Sequence, residues 1–229
     1  MKRTILAVVT LTVFVAVMAS AQQPAQQAAP LKTEKDKLSY AMGMDLAGQL
    51  RTNSVDIDPA LFAKGMQDMF AGKTLLTDAE AKTAIAALQT AQIAKRTSQL
   101  QANKKEGEAF LAANKTKPGV VTLPSGVQYR VITAGTGPKA TLEQTVVCHY
   151  RGTFIDGKEF DNSFRRGQPA TFPVKGVIKG WTEVLQLMTV GSKWQVFIPP
   201  ALAYGERGAG VDIGPNATLI FEIELVAIK

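Results

Sequence analysis

A chain of 229 residues, 46% of them apolar, is long enough to enclose one large core or two small ones. Its only cysteine, Cys148, and only histidine, His149, rule out an intramolecular disulfide and leave almost no material for a His-rich zinc site or a Ser-His-Asp triad. The formal charge of +7 is scattered, with no Lys/Arg block and no recognisable nucleic-acid motif, so nucleic-acid binding is not expected.

The chain opens with Lys2 and Arg3, an apolar run from Ile5 to Met18, and the small residues Ala19-Ser20-Ala21, the three parts of a secretory signal peptide over 1–21. That run is short for a bilayer span and is interrupted by Thr10 and Thr12, so cleavage is favoured over an uncleaved anchor. Cleavage removes two of the 26 basic residues against 19 acidic ones and leaves +5. No cysteine follows the cleavage site, which argues against a lipoprotein. The mature chain then starts at Gln22 with a flexible tail over 22–33, Gln/Ala/Pro-rich as far as Pro30 and too poor in apolar side chains to fold alone. The expected location is the periplasm, with outer-membrane association left open and no integral span after cleavage.

Leu38, Met42, Leu46 and Leu50 recur every fourth residue behind a capping Thr33, which predicts an amphipathic helix to Arg51. Asp58-Pro59 can cap and begin a second helix that runs to Phe70 and stops at Gly72, with Leu61 or Phe62, Met66, Met69 and Phe70 as its stripe. Two helices this short cannot enclose a core. Their apolar faces need another surface, and a partner subunit is the simplest one, making residues 34–80 a homodimerisation surface; the alternative is folding back on the C-terminal domain.

Thr77-Asp78-Ala79-Glu80 is a capping box, and no Pro or Gly follows until Gly107. Helical to Ala113, this element is about 55 Å long. Its apolar residues thin out after Ile93, so it reads as a spacer arm bridging two bodies through solvent, loosened at Gly107. A helical dimerisation domain with its spacer is thus expected over 34–114.

From Asn114 the pattern changes to chain punctuated by Pro and Gly, the start of a second domain over 115–229. Strands are predicted over Val127–Thr133, Val146–Phe154, Thr171–Val174, Trp194–Ile198 and Thr218–Ile228, with a turn at Asp156-Gly157 and a helix over Trp181–Met188. In the last strand Leu219, Phe221, Ile223 and Leu225 alternate with Ile220, Glu222, Glu224 and Val226, which marks one covered face. The fold class is therefore α+β: four or five antiparallel strands wrapped on one short helix, preceded by an all-α module. In the second strand Cys148 and His149 point to opposite faces and do not make a nucleophile pair; Cys148 reads as a buried structural thiol.

The segments VVCHYRGTFIDGKEFDNSF, VIKGW, ALAYGERG and NATLIFEIELVAI, in this order and spacing, resemble the FKBP class of peptidyl-prolyl isomerases over about Leu123 to Lys229. LSYAMGMDLAGQL and the long helix after TDAEA are similar to the helical dimerisation module of secreted bacterial FKBPs of the macrophage infectivity potentiator type. The resemblance implies rotation of X-Pro bonds in unfolded or partly folded polypeptides, chaperone activity, macrolide inhibitors as candidate ligands, and neither cofactor nor metal.

The physical chemistry agrees. Rotation about the C–N bond must break amide resonance, a barrier of about 18–20 kcal/mol, but no σ-bond. The twisted state has lost charge separation, so an apolar, water-excluding pocket favours it over the planar amide. By resemblance Trp181 is the floor under the proline ring, Tyr150, Phe160, Val177, Ile178 and Phe221 are walls, and Ile213 is a further substrate-binding residue. The Ile178 N–H and the Tyr204 hydroxyl donate to substrate carbonyls, and Asp161, held by Tyr150 and Arg166, orients the amide. Phe172, Trp194 and Phe197 read as core.

Against the family pattern this chain has Ala170 for an aromatic wall, and Ala209 and Asp212 for a usual His and an apolar residue, which bears on macrolide affinity and on the residue preferred before proline. Gly205, Gly208, Gly210 and Gly214 lack the Lys-Ser/Thr of a phosphate loop. The rival reading is a non-catalytic chaperone or surface adhesin on the same fold.

Overall fold

The structure, a computed structural model, describes residues 31–229; the signal peptide expected over 1–21 and residues 22–30 of the tail lie outside the described residues. The chain forms two compact units, the first ending at Arg51 and the second running from Thr52 to Lys229. Among the described residues no helix is long and apolar enough to cross a membrane.

In the first unit lies α1, Glu34–Thr52. It begins where expected: the Asp36 N–H donates to Thr33 Oγ1 at 3.1 Å and the Thr33 N–H donates back to Asp36 Oδ2 at 2.9 Å. No residue of α1 is buried, and Leu38, Met42, Met44 and Leu46 are all exposed.

The second unit opens with α2, Pro59–Ala71. Asp58 Oδ1 accepts from the N–H groups of Ala60 and Leu61, and Gly72 ends the helix in the left-handed region at φ 65°. Its apolar face is also uncovered; Phe70 is 94% exposed.

The next helix, α3, runs unbroken from Asp78 to Asn114, starting at the Thr77/Glu80 capping box. The expectation of an arm in solvent fails for its C-terminal half. Phe110 packs on Phe197 with ring centroids 5.9 Å apart, and the buried Asn114 donates to the buried Gln128, whose amide donates to Leu111 O, each at 2.9 Å. Nor is Gly107 a loosening point. It is buried, and a Cβ built on it would stand 2.3 Å from Thr218 Oγ1, so glycine is what lets the helix meet the sheet there. The polar composition hid this docking because it runs through amides and one glycine rather than an apolar stripe.

Seven antiparallel strands follow: β1 Val120–Thr122, β2 Gln128–Thr133, β3 Thr145–Phe154, β4 Glu159–Asn162, β5 Ala170–Pro173, β6 Lys193–Ile198 and β7 Leu219–Ile228. The sheet order is β1-β2-β6-β7-β3-β4, with β5 sharing the outer edge of β3: β5 pairs its first half and β4 its second. The count exceeds the four or five expected because β1 is three residues long and β4, EFDN, is short and polar, so neither shows a period. The turn at Asp156-Gly157 closes β3 to β4, with the Phe154 N–H donating to Lys158 O at 2.9 Å.

One short helix, α4 (Lys179–Leu185), lies against this sheet and buries Trp181, Val184 and Leu185 among Val146, Tyr150, Ile198, Phe221 and Ile223. In β7 Leu219, Phe221, Ile223 and Leu225 are buried and the residues between them are not, so the alternation reads as expected. Pocket residues thus sit on the edges of one packed core.

Candidate active site

At one end of α4 a cavity of about 480 Å³ is lined by Tyr150, Phe160, Asp161, Phe172, Gly176, Val177, Ile178, Trp181, Tyr204 and Phe221. Strand β3 supplies Tyr150, β4 supplies Phe160 and Asp161, β7 supplies Phe221, and the turn into α4 supplies Val177 and Ile178. Trp181 is 4% exposed and sits under the cavity, held edge-to-face by Tyr150 at 5.3 Å, Phe172 at 5.6 Å and Phe221 at 5.3 Å between centroids. Three rings at near-right angles leave the indole no room to turn.

Tyr150 is fixed through its backbone as well as its ring. Its N–H donates to Ser163 Oγ at 2.7 Å, and the Ser163 N–H donates to Tyr150 O at 2.9 Å. The Tyr150 hydroxyl donates to Asp161 Oδ2 at 2.5 Å, while Arg166 pairs with Asp161 Oδ1 and donates to the Tyr150 oxygen at 2.9 Å. Partial burial works against the Asp161 charge, but the hydrogen bonds from Tyr150 and Arg166 outweigh it and hold the carboxyl below its ordinary range. The Tyr150 phenol is raised, first by burial and then by its bond to Asp161.

Two residues of the lining carry donors that are unspent. Ile178 precedes the first turn of α4, and none of the described groups accepts its N–H. Tyr204 is 40% exposed, and its hydroxyl, raised in pKa by burial and then by the Asp161 charge, has no hydrogen bond to a described residue.

Not every expected residue arrives. Arg166 holds Asp161 as expected but lies outside the cavity, on a neighbouring pocket, and meets the site through Asp161 and Tyr150. Ile213 does not line the cavity; it bridges back to Ala209 within the loop after Tyr204 and lines a different groove. Ala170, Ala209 and Asp212 are also absent from the lining. Phe172, expected as core, is a wall, whereas Trp194 and Phe197 are core. Gly152 was missed altogether. A Cβ there would come within 2.6 Å of the Phe160 ring and 2.9 Å of the Phe221 ring, so a glycine inside β3 makes space for two walls. The signal was present in the sequence as a glycine in the middle of a strand.

Cys148 is fully buried, on the face of β3 opposite His149, and burial pushes its thiol up to about 12. It is packing, with no nucleophilic character.

A rigid aromatic floor of this size, polar donors at the rim and one fixed carboxylate suit a proline ring with its flanking amides. A sheet wrapped on α4 around such a site defines a prolyl-isomerase class of domain. Comparison with known proteins agrees: the domain amino-terminal to FKBP-type peptidyl-prolyl isomerases matches residues 35–131, and the FKBP-type peptidyl-prolyl cis-trans isomerase domain matches residues 137–226. Outer membrane protein MIP of Legionella longbeachae is 49% identical over 215 residues, covering 92% of each chain. Peptidyl-prolyl cis-trans isomerase Mip of Coxiella burnetii is 45% identical over 216 residues, covering 90% of this chain and 91% of that one. The crystal structure of FkpA from Escherichia coli superposes with a TM-score of 0.63 at 36% identity, covering 87% of this chain and 99% of that one. This chain belongs to the FKBP-type peptidyl-prolyl cis-trans isomerase family, as its motifs implied.

Proposed function

We propose that the enzyme works as a homodimer on extracytoplasmic polypeptides, with Trp181, Asp161, Tyr204 and Ile178 as the centre of its isomerase site. The observation that carries this is the cavity over Trp181, in which apolar walls meet two unspent donors and one fixed carboxylate. A proline ring sits on the indole, bounded by Tyr150, Phe160, Phe172, Val177 and Phe221. Ile178 N–H and Tyr204 OH take the carbonyls on either side, which fixes the chain while the bond between them turns. Asp161, with both oxygens already bonded, keeps its charge and its place at the rim and orients the amide carbonyl. The apolar walls favour the twisted amide because it has less charge separation to solvate.

A macrolide ligand would occupy the same cavity and compete with peptide. Clients are proline-containing unfolded or partly folded chains, which the enzyme also holds as a chaperone. Residues 34–114 form the assembly module and its helix, and 115–229 the isomerase domain. A signal peptide directs the chain to the periplasm; a relative named as an outer membrane protein supports an envelope location.

The dimer reading rests on α1 and α2, each of which leaves its apolar face uncovered. Isolated exposed Leu or Met residues are ordinary, but stripes repeated on two successive helices need a cover. Sedimentation of the mature protein is expected to give a dimer, and Met42→Glu with Phe70→Glu a monomer. A monomeric wild type would remove the dimer from this proposal.

A further inference from the structure

We propose that Asn103, assisted by Arg96, is a positioning residue for isomerisation: α3 holds in place the loop that carries Tyr204. The proposal rests on the reading of Tyr204 as a substrate-facing donor.

Arg96, Gln99, Asn103 and Gly107 are spaced three, four and four residues apart and so share one face of α3. Each meets the chain between Tyr204 and β7. Asn103 Nδ2 donates to Pro215 O at 2.7 Å, and Arg96 Nη2 donates to Glu206 O at 3.1 Å, with Arg207 O at 3.4 Å. The Gln99 amide lies so close to Gly214 that a Cβ there would stand 2.9 Å from its Nε2. The helix therefore grips the loop near both of its ends.

The loop transmits that grip. The Asn216 N–H donates to Gly205 O at 2.9 Å, joining the segment held by Asn103 to the residue directly after Tyr204, and Ala209 and Ile213 exchange two backbone bonds across the middle. Since the Tyr204 hydroxyl has no hydrogen bond to a described residue, its place at the cavity depends on how its backbone is held. The hydrogen bonds from Arg96 and Asn103 all go to loop carbonyls, so the grip does not depend on loop side chains. Asn103 is expected to contribute more than Arg96, because its bond is short and partly buried while the Arg96 bonds are exposed to competing water.

The test is a double-mutant cycle on the full mature protein, with kcat and KM measured on a proline tetrapeptide. Asn103→Ala and Asn103→Asp, which both lose the amide donor, are expected to lower kcat/KM about three- to tenfold, with Arg96→Ala doing less. The thermal midpoint should fall by no more than the few degrees that one hydrogen bond is worth. In a Tyr204→Phe background, Asn103→Ala should cost little more, since its effect runs through Tyr204. If Tyr204→Phe is impaired but Asn103→Ala and Asn103→Asp match wild type, or their losses multiply with that of Tyr204→Phe, the positioning role is wrong and the site reading stands. If Tyr204→Phe itself is unimpaired, the reading of Tyr204 as a substrate-facing donor fails and the positioning role falls with it.

Discussion

Tyr150 and Asp161, on neighbouring strands, are joined by a 2.5 Å hydrogen bond from the phenol to Oδ2, and Arg166 spans both of them. The carboxylate at the pocket rim is thereby held by two donors, one of them also a wall of the cavity.

Tyr150→Phe keeps the wall and deletes one of these donors. It is expected to lower kcat/KM by about tenfold or more, since a hydrogen bond to a charged group is worth about 1.5–3 kcal/mol, while leaving the fold intact. Arg166→Lys should also be impaired, because an ammonium cannot fork between a carboxylate and a phenol. Steady-state kinetics on a proline peptide checks both; wild-type rates in both variants would remove Asp161 anchoring from the mechanism.

The pH dependence follows from the lowered Asp161 pKa. A carboxyl that ionises below its ordinary value of about 3.9 stays charged from pH 8 down to about pH 5. Its contribution to folded stability is fully present above the unfolded value and is lost only as pH falls through the folded one. The kcat/KM profile is therefore expected to be flat over that window. In Arg166→Ala, which removes one of the two supports, the acid limb should move to higher pH. An unmoved limb would show that Arg166 does not set the charge of Asp161.

Gly107→Ala separates a docked helix from a free arm. In a solvent-exposed helix the change stabilises by roughly 1 kcal/mol. Here the new methyl meets Thr218 Oγ1, which is buried with no hydrogen-bond partner among the described residues, so destabilisation by about 1–3 kcal/mol is expected. Adding Thr218→Ala removes the colliding oxygen and should restore part of the loss. Denaturant midpoints of the three proteins check this; a stabilised Gly107→Ala would return α3 to solvent.

How much of this was legible varied with the physical signal. The caps at Thr33, Asp58 and Thr77 and the alternation through Leu219 to Leu225 are local and periodic, and they appear where the sequence places them. The residues over Trp181 were found because the motif order around YRG, FDN, VIKGW and AYG is specific. Ile213 was misplaced and Phe172 undervalued because their positions depend on how a loop bridges and how an edge strand pairs, which spacing alone does not set. The docking of α3 was missed for a different reason. Its contacts are an amide pair, two side chains reaching backbone carbonyls, one glycine and one tilted ring pair, none of which produces a hydrophobic period.

The most direct test of the site is the rate of cis–trans exchange of a proline tetrapeptide, measured by a protease-coupled assay, for wild type, Asp161→Asn and Tyr204→Phe. Wild type should accelerate exchange well above the uncatalysed rate, and each variant should lose at least severalfold in kcat/KM while remaining folded. Full activity in both variants would contradict the assignment of catalysis to the cavity over Trp181.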